Sequence, residues 1–284
     1  EPLAYRYSDY TGFIFTEKEN ECLKLIINHL YEADDWDLIY LLDFPGTSSV
    51  LEILPRISTD ILPFELEQGR ICPYISLPSS METIISGLTG KFRKNLRRSL
   101  SKLKQDYGRV ELKRYDEIGT VEQSMNRFFD LHQKRWIAQG MPGVYKDENT
   151  RSVFIELAKL YAKKGWLALY FLTVNDRPIA TQYCLAYKQT MHYGLGGFDP
   201  VFSRYSVGNI IIAKVLEHCI ANRFTEYDFM KGDESYKFDW SAEYRRNMGI
   251  KFVNMKLSSK MLFRGIKAAR KIGANRTPGK LFGS

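Results

Sequence analysis

Four side chains combine a type and a position suited to moving protons: Asp199, Asp228, His132 and Tyr236. Asp228 falls inside the short apolar run 227–230, where a carboxylate must be paired or have its proton affinity altered. Pairing with an Arg or Lys is the structural alternative. Asp199 follows Gly196-Gly197-Phe198 and precedes Pro200. It suits a general base or a partner for an acceptor hydroxyl, and equally an Asp-Pro turn. His132 and Arg135 stand three apart in a helical pattern and share a face. His132 suits a base near neutral pH or a satisfied structural histidine. Arg135 suits an anion or a carboxylate. Tyr236 suits a proton donor to a leaving group, or core packing. Together such groups fit direct acyl transfer, in which an acceptor amine or hydroxyl loses a proton, a leaving thiolate gains one and a carbonyl is polarised.

A second cluster suits an anion. Ser203-Arg204-Tyr205-Ser206-Val207-Gly208-Asn209 lies between a predicted strand and a predicted helix. A helix start presents free N–H groups and a positive dipole end, the features that hold a pyrophosphate. Ser206 is expected to cap the helix, Gly208 to let the backbone approach an oxygen, and Arg204 to add charge. Many helices that bind nothing also begin with Ser and an early Gly.

These groups need elements to hold them. Apolar spacing predicts helices over 17–33, 48–60, 81–107 with a break at 87–90, 117–138, 148–164 and 206–222. Strands are predicted over 36–43, 72–77, 110–115, 166–174, 179–187, 191–198 and 226–230, with a last one near 250–257. Asn175-Asp176 with Arg177-Pro178 closes a hairpin. A hairpin feeding a strand–helix–strand unit implies a mixed α/β sheet with helices packed on it. The expected division is an N-terminal lobe over 1–108 that includes the basic helix, a main domain over 109–257, and a basic tail over 258–284. That tail carries Lys260, Arg264, Lys267, Arg270, Lys271, Arg276 and Lys280, and no acid.

The chain has 284 residues and a formal charge of +8, which favours anionic partners: nucleic acid, anionic lipid or a phosphorylated ligand. With 44% hydrophobic and 26% charged residues it is composed like a folded protein. Cys22, Cys72, Cys184 and Cys219 are scattered and form no C-x-x-C pair, so reduced, mostly buried thiols are expected, with no metal site. No apolar run reaches the length of a membrane span. A cytoplasmic protein is expected, with peripheral contact to the inner face of an anionic membrane open to the basic segments. The chain opens at Glu1-Pro2 without Met, so further residues upstream are expected.

Five blocks in order carry a family resemblance: Lys91 to Arg98; Leu131-His132 with Arg135-Trp136; Leu169 to Leu172 with Pro178 to Ala180; Gly197-Phe198-Asp199-Pro200 through Gly208; and Tyr227-Asp228-Phe229 with Gly232 to Lys237. Over roughly residues 5–255 the chain resembles the CelD/BcsL-type GNAT acetyltransferases, linked to cellulose and exopolysaccharide synthesis and related to the Fem aminoacyl transferases. The resemblance implies an acyl-CoA N-acyltransferase (GNAT) fold, a mixed central sheet flanked by helices. It also implies a divergent and truncated GNAT-like N-terminal lobe. It places the pyrophosphate of acetyl-CoA or another acyl-CoA at Arg204, Tyr205, Ser206, Val207, Gly208 and Asn209. It gives an acceptor role to Arg93, Asn95, Arg97 and Lys237 and a catalytic role to Asp199, while Arg135 as an acceptor contact and Asp228, His132 and Tyr236 as catalytic groups rest on residue type and position. The usual family signature, Arg/Gln-x-x-Gly-x-Gly/Ala, is only partly present, with the single glycine Gly208. The implied acceptor is an anionic small molecule or lipid-linked precursor of the cell envelope or exopolysaccharide. Two rival readings remain: a Fem-type enzyme drawing on aminoacyl-tRNA, and a GNAT-like scaffold that binds without catalysis.

Overall fold

The computed structural model describes residues 8–58 and 61–274. In chain order its elements are α1 (Glu19–Glu32), β1 (Leu38–Pro45), α2 (Ser49–Ser58), β2 (Phe64–Ser76), α3 (Met81–Gly87) and α4 (Gly90–Tyr107). There follow β3 (Val110–Arg114), α5 (Val121–Ala138), α6 (Glu148–Lys163), β4 (Leu167–Val174), β5 (Arg177–Tyr187) and β6 (Thr190–Phe198). The last are α7 (Val207–Ala221), β7 (Glu226–Asp228), α8 (Ser235–Trp240), β8 (Tyr244–Val253) and α9 (Leu257–Ala274). They divide into two compact units, Cys72–Tyr244 and a smaller one formed by the chain up to Ile71 and from Arg245 onward.

The larger unit is a mixed α/β sheet in the order β2-β7-β6-β5-β4-β3, with helices on both faces. Only β6 and β7 run parallel; the other pairs are antiparallel. All eight residues of β4 are buried, which is why its sequence reads as one apolar run. Ala168, Tyr170 and Leu172 face one core with α3, α4 and α7. Leu167, Leu169 and Phe171 face the other with α5 and α6. α7 is apolar nearly all round because the sheet covers one side and α3 and α4 pack against another. The β4–β5 turn places Asn175 and Asp176 at φ 46° and 66°, the left-handed pair that a two-residue hairpin requires.

In the smaller unit β1 and β8 pair antiparallel from Leu38↔Val253 to Pro45↔Asn247. Leu23, Ile27, Phe44, Val50, Leu54, Leu62, Ile250 and Phe252 form its core. The four cysteines are free thiols, with Cys72, Cys184 and Cys219 buried.

Three stretches differ from the sequence expectation. β2 begins at Phe64 rather than near 72, because its first half alternates charged and half-buried residues around Gly69 and lacks an apolar run. The last strand is Tyr244–Val253, not 250–257, because the Asn254 side chain accepts from Lys256 N–H and ends the extended run. Residues beyond 257, expected as a tail, continue as helix α9; Arg276 and Lys280 lie outside the described residues.

Candidate active site

The larger unit opens where β6 and β7 part. Their parallel ladder covers only Thr190–His192 against Glu226–Asp228, while β6 runs on to Phe198. Past His192, the backbone groups of β6 that face away from β5 have no strand to pair with among the described residues. The β5–β6 register shifts between Tyr183 and Cys184, which face Leu195 and Tyr193 and leave Gly194 as the extra residue of a bulge. α5 crosses directly over the far end of this strand, and a Cβ on Gly197 would collide with the backbone nitrogen of His132. A Cβ on Gly196 would collide with the phenol of Tyr193.

Tyr193 and Tyr236 line the opening and share a side-chain hydrogen bond. Burial pushes the Tyr193 phenol up to about 12, and burial together with Tyr193 and Glu234 pushes Tyr236 higher still. Both are therefore protonated donors at neutral pH. Arg135 reaches in from α5: its Nη1 donates to Gly196 O at 3.5 Å, and its guanidinium lies 5.5 Å from the Phe198 ring.

The loop after β7 is held from two sides. Asp228, almost fully buried, accepts from Met230 N–H through Oδ1 at 2.7 Å. Lys237, equally buried, donates to Lys231 O at 2.9 Å and Met230 O at 3.4 Å and pairs with Glu234 Oε2 at 2.9 Å. Those three acceptors match the three protons of its ammonium, so its charge is engaged internally.

His192 escaped the sequence reading. It stands opposite Asp228 in the β6–β7 register, with Nδ1 3.7 Å from Asp228 Oδ2 and a quarter of its side chain exposed. The available signal was a histidine next to Tyr193 in the strand just before the Gly-rich bend, but its carboxylate partner lies 36 positions away on another strand.

At the start of α7, Asn209 and Ile210 N–H turn back onto Ser206 O at 2.9 and 3.2 Å, and the earlier N–H groups of the first turn have no intrahelical acceptor. The position of a Cβ on Gly208 is open space. Ser206 does not cap the helix as expected. It is left-handed, at φ 51°, whereas a capping residue is normally extended, and its hydroxyl makes no capping bond. The side chains of Tyr205 and Val207 point into the core, leaving only their backbone for a ligand. Asn209 Oδ1 accepts from Trp240 Nε1 at 3.3 Å. Arg204 pairs with Asp106 of α4 at 3.7 Å and donates to the Tyr205 hydroxyl.

Asp199 is buried and held by three partners: Val201 N–H at 3.1 Å, Arg177 Nη2 at 3.0 Å and Lys134 Nζ at 3.6 Å. Burial pushes its carboxyl up, but these three outweigh it and hold it below the usual range. A carboxylate so stabilised is a weak base and a firm anchor for the turn that leads into α7. His132 lies in an aromatic core with Phe128, Tyr145 and Trp136, and its Nε2 accepts from Trp136 Nε1 at 2.9 Å. Burial, and secondarily Arg135, lowers its pKa to about 4, so it is neutral at pH 7.

Arg93 and Arg97 meet at a separate cavity of about 580 Å³ between α3, α4 and α7. Its walls include Leu96, Leu100 and Ile210, and its rim adds Lys214, Glu82 and Glu217. Arg93 also donates to Ile85 O and Ser86 O, at 3.4 and 3.3 Å. Asn95 is turned from the cavity and accepts from Arg98 at 3.5 Å. The structure thus gathers Arg135, Tyr236, Asp228 and Lys237 around the β6–β7 opening. It puts Arg93 and Arg97 at the cavity, and ties His132, Asp199 and Arg204 into internal contacts. Among the described residues no group of three or more His, Cys, Asp or Glu is placed to hold a metal ion.

A family model described as an acetyltransferase (GNAT) domain matches residues 90–238. No curated protein matches the sequence. Among solved structures, FemX aligns with a TM-score of 0.60 at 11% identity, over 90% of this chain and 81% of its own. A conserved protein of unknown function from Bacteroides thetaiotaomicron VPI-5482 aligns at 0.54 with 16% identity, over 82% and 76%. The C-terminal domain of a protein described as a lysylphosphatidylglycerol synthetase, from Agrobacterium fabrum, aligns at 0.50 with 10% identity, over 79% and 70%. At these identities the likeness is one of fold.

Proposed function

Because the chain belongs to the acetyltransferase (GNAT) domain family, we propose that it transfers an acetyl or other acyl group directly from acyl-CoA to an amine or hydroxyl of an anionic cell-envelope or exopolysaccharide precursor. The observation that carries this reading is the β6 edge from Tyr193 to Phe198, left without a neighbouring strand among the described residues, with the α7 N-terminus following the 3-10 segment Pro200–Tyr205. The pantetheine arm of CoA is extended and carries two amides, which suit an open strand edge. Its pyrophosphate suits the first-turn N–H groups at Val207 and Gly208.

The acceptor nitrogen or oxygen attacks the thioester carbon, giving up its proton to His192, which stands beside the buried carboxylate of Asp228. As the C–S bond breaks, the Tyr236 phenol gives its proton to the sulfur, and Tyr193 holds that phenol in place. Arg135 adds positive charge beside the reacting groups. Asp199 and Lys237 act as positioning residues, one fixing the turn into α7 and the other the loop after β7. Arg93 and Arg97 receive the anionic part of the acceptor, each worth a charge-assisted hydrogen bond. The likeness to a protein described as a lysylphosphatidylglycerol synthetase supports a lipid-linked acceptor.

The likeness to FemX favours one alternative donor, an aminoacyl-tRNA ester. A free-thiol assay with acetyl-CoA and a panel of amino- and hydroxy-sugar phosphates separates the two. Acceptor-dependent thiol release supports the CoA reading, and transfer from charged tRNA without thiol release supports the other.

A further inference from the structure

We propose that α9 is an interfacial helix that seats the protein on an anionic membrane surface. Within Leu257–Ala274 the sequence has five Lys or Arg and no Asp or Glu. Leu257 and Met261 are 75% and 64% exposed, and Gly265 and Ala268 continue the same row, also exposed. Spacings of four, four and three residues keep these positions on one stripe of the helix. Lys260 and Arg264 start a second row at the same spacing, about 60° round the helix; positions 267 and 271 of that row are also Lys in the sequence.

The opposite side of the helix is anchored. Ser259 is fully buried, and its hydroxyl donates to Asp37 Oδ1 at 2.6 Å. Phe263 lines a cavity of about 250 Å³ with Phe64 and Val253, and Lys260 and Arg264 stand at the same cavity, between this anchored face and the exposed apolar row. The smaller unit therefore already fixes α9 through one face, and the exposed apolar row is surplus to its core. An apolar stripe flanked by cations, on a helix of low overall hydropathy, fits the headgroup boundary of a lipid leaflet. Among the described residues no helix is long and apolar enough to cross a membrane. Charge selects among occupants of this face. A second copy would set the cations of two identical helices against each other, and a nucleic acid would make no use of Leu257 and Met261. Anionic lipid satisfies both rows, with each surface cation adding about 1 kcal/mol.

The test is flotation of the full chain with vesicles of phosphatidylcholine alone or mixed with phosphatidylglycerol. The expected result is binding to the mixed vesicles only, weakened by salt. The double variant K260Q/R264Q, which removes two cations at about 1 kcal/mol each, should lower the partition about thirtyfold. L257D/M261D should abolish it while the far-ultraviolet circular dichroism stays unchanged, since all four positions lie outside the core. Three results would overturn the proposal: no flotation with either vesicle, equal binding to both, or L257D/M261D binding like the unaltered chain. Conversion of a dimer to a monomer by L257D/M261D, without flotation of the parent, would assign the face to a second copy. Salt-sensitive binding to nucleic acid that survives L257D/M261D, again without flotation, would assign it to phosphate contacts.

Discussion

His192 Nδ1 lies 3.7 Å from Asp228 Oδ2, across the last rung of a parallel ladder three residues long. The pair therefore stands where the two strands begin to diverge, with the imidazole partly open to solvent and the carboxylate buried beneath it.

If that pair deprotonates the acceptor, His192→Gln should lower kcat by about 100-fold. KM for acyl-CoA should change little, and added imidazole should restore part of the rate to His192→Ala. An unchanged kcat in steady-state thiol release would remove His192 from the mechanism.

Tyr236 is held protonated by burial, so its role is to donate. Tyr236→Phe keeps the ring packing against Phe229 and removes only the hydroxyl. The expected outcome is a loss in kcat of about 10²- to 10³-fold with acetyl-CoA still bound. Raising the pH within the stable range should not switch this donor off, because both phenols titrate well above their ordinary range.

The two arginines at the cavity predict a different pattern. Arg93→Ala with Arg97→Ala should raise KM for an anionic acceptor by about 10- to 100-fold, from about 1.5–3 kcal/mol in charged hydrogen bonds. The KM for acyl-CoA should stay the same. Competition kinetics with a neutral analogue of the acceptor check this, since the neutral analogue should lose nothing.

His132 predicts how stability responds to acid. Its folded pKa is depressed to about 4, below the ordinary 6.5. Between those values the unfolded chain binds a proton that the folded chain refuses. The contribution is complete above about pH 6.5 and is lost as the pH falls toward 4, by at most about 3 kcal/mol. Thermal melts at pH 7.5 and pH 5 should therefore differ less for His132→Gln than for the unaltered chain. An equal difference would show that His132 takes no part in acid sensitivity.

Local signals carried much of the fold into view. Asn175-Asp176 marked the hairpin because few other pairs tolerate two left-handed residues in succession. Gly196-Gly197 marked the strand end that α5 crosses, although the collision with His132 that forbids a side chain at Gly197 is visible only in three dimensions. What stayed hidden depends on distant partners. Arg204 looked free until Asp106, some hundred positions earlier, was found beside it. Lys237 looked like an acceptor contact, and is buried under the loop that it ties down. His192 acquired meaning only through the register that sets it against Asp228. Apolar spacing finds elements, but the pairing of charges across elements is set by topology, which spacing does not encode.

The most direct test of the central claim is a thermal-shift titration of the protein with acetyl-CoA, longer acyl-CoAs and free CoA, at low and moderate salt. A ligand that binds only the folded state raises the melting temperature by mass action, by about 2.7 kcal/mol of stability at a hundredfold excess over Kd. The account predicts a saturable rise with acyl-CoA that persists at moderate salt and is reduced by Gly208→Glu, which puts an acid where the pyrophosphate is proposed to sit. The absence of a shift with every CoA species, at concentrations up to the millimolar range typical of weak substrates, would contradict it.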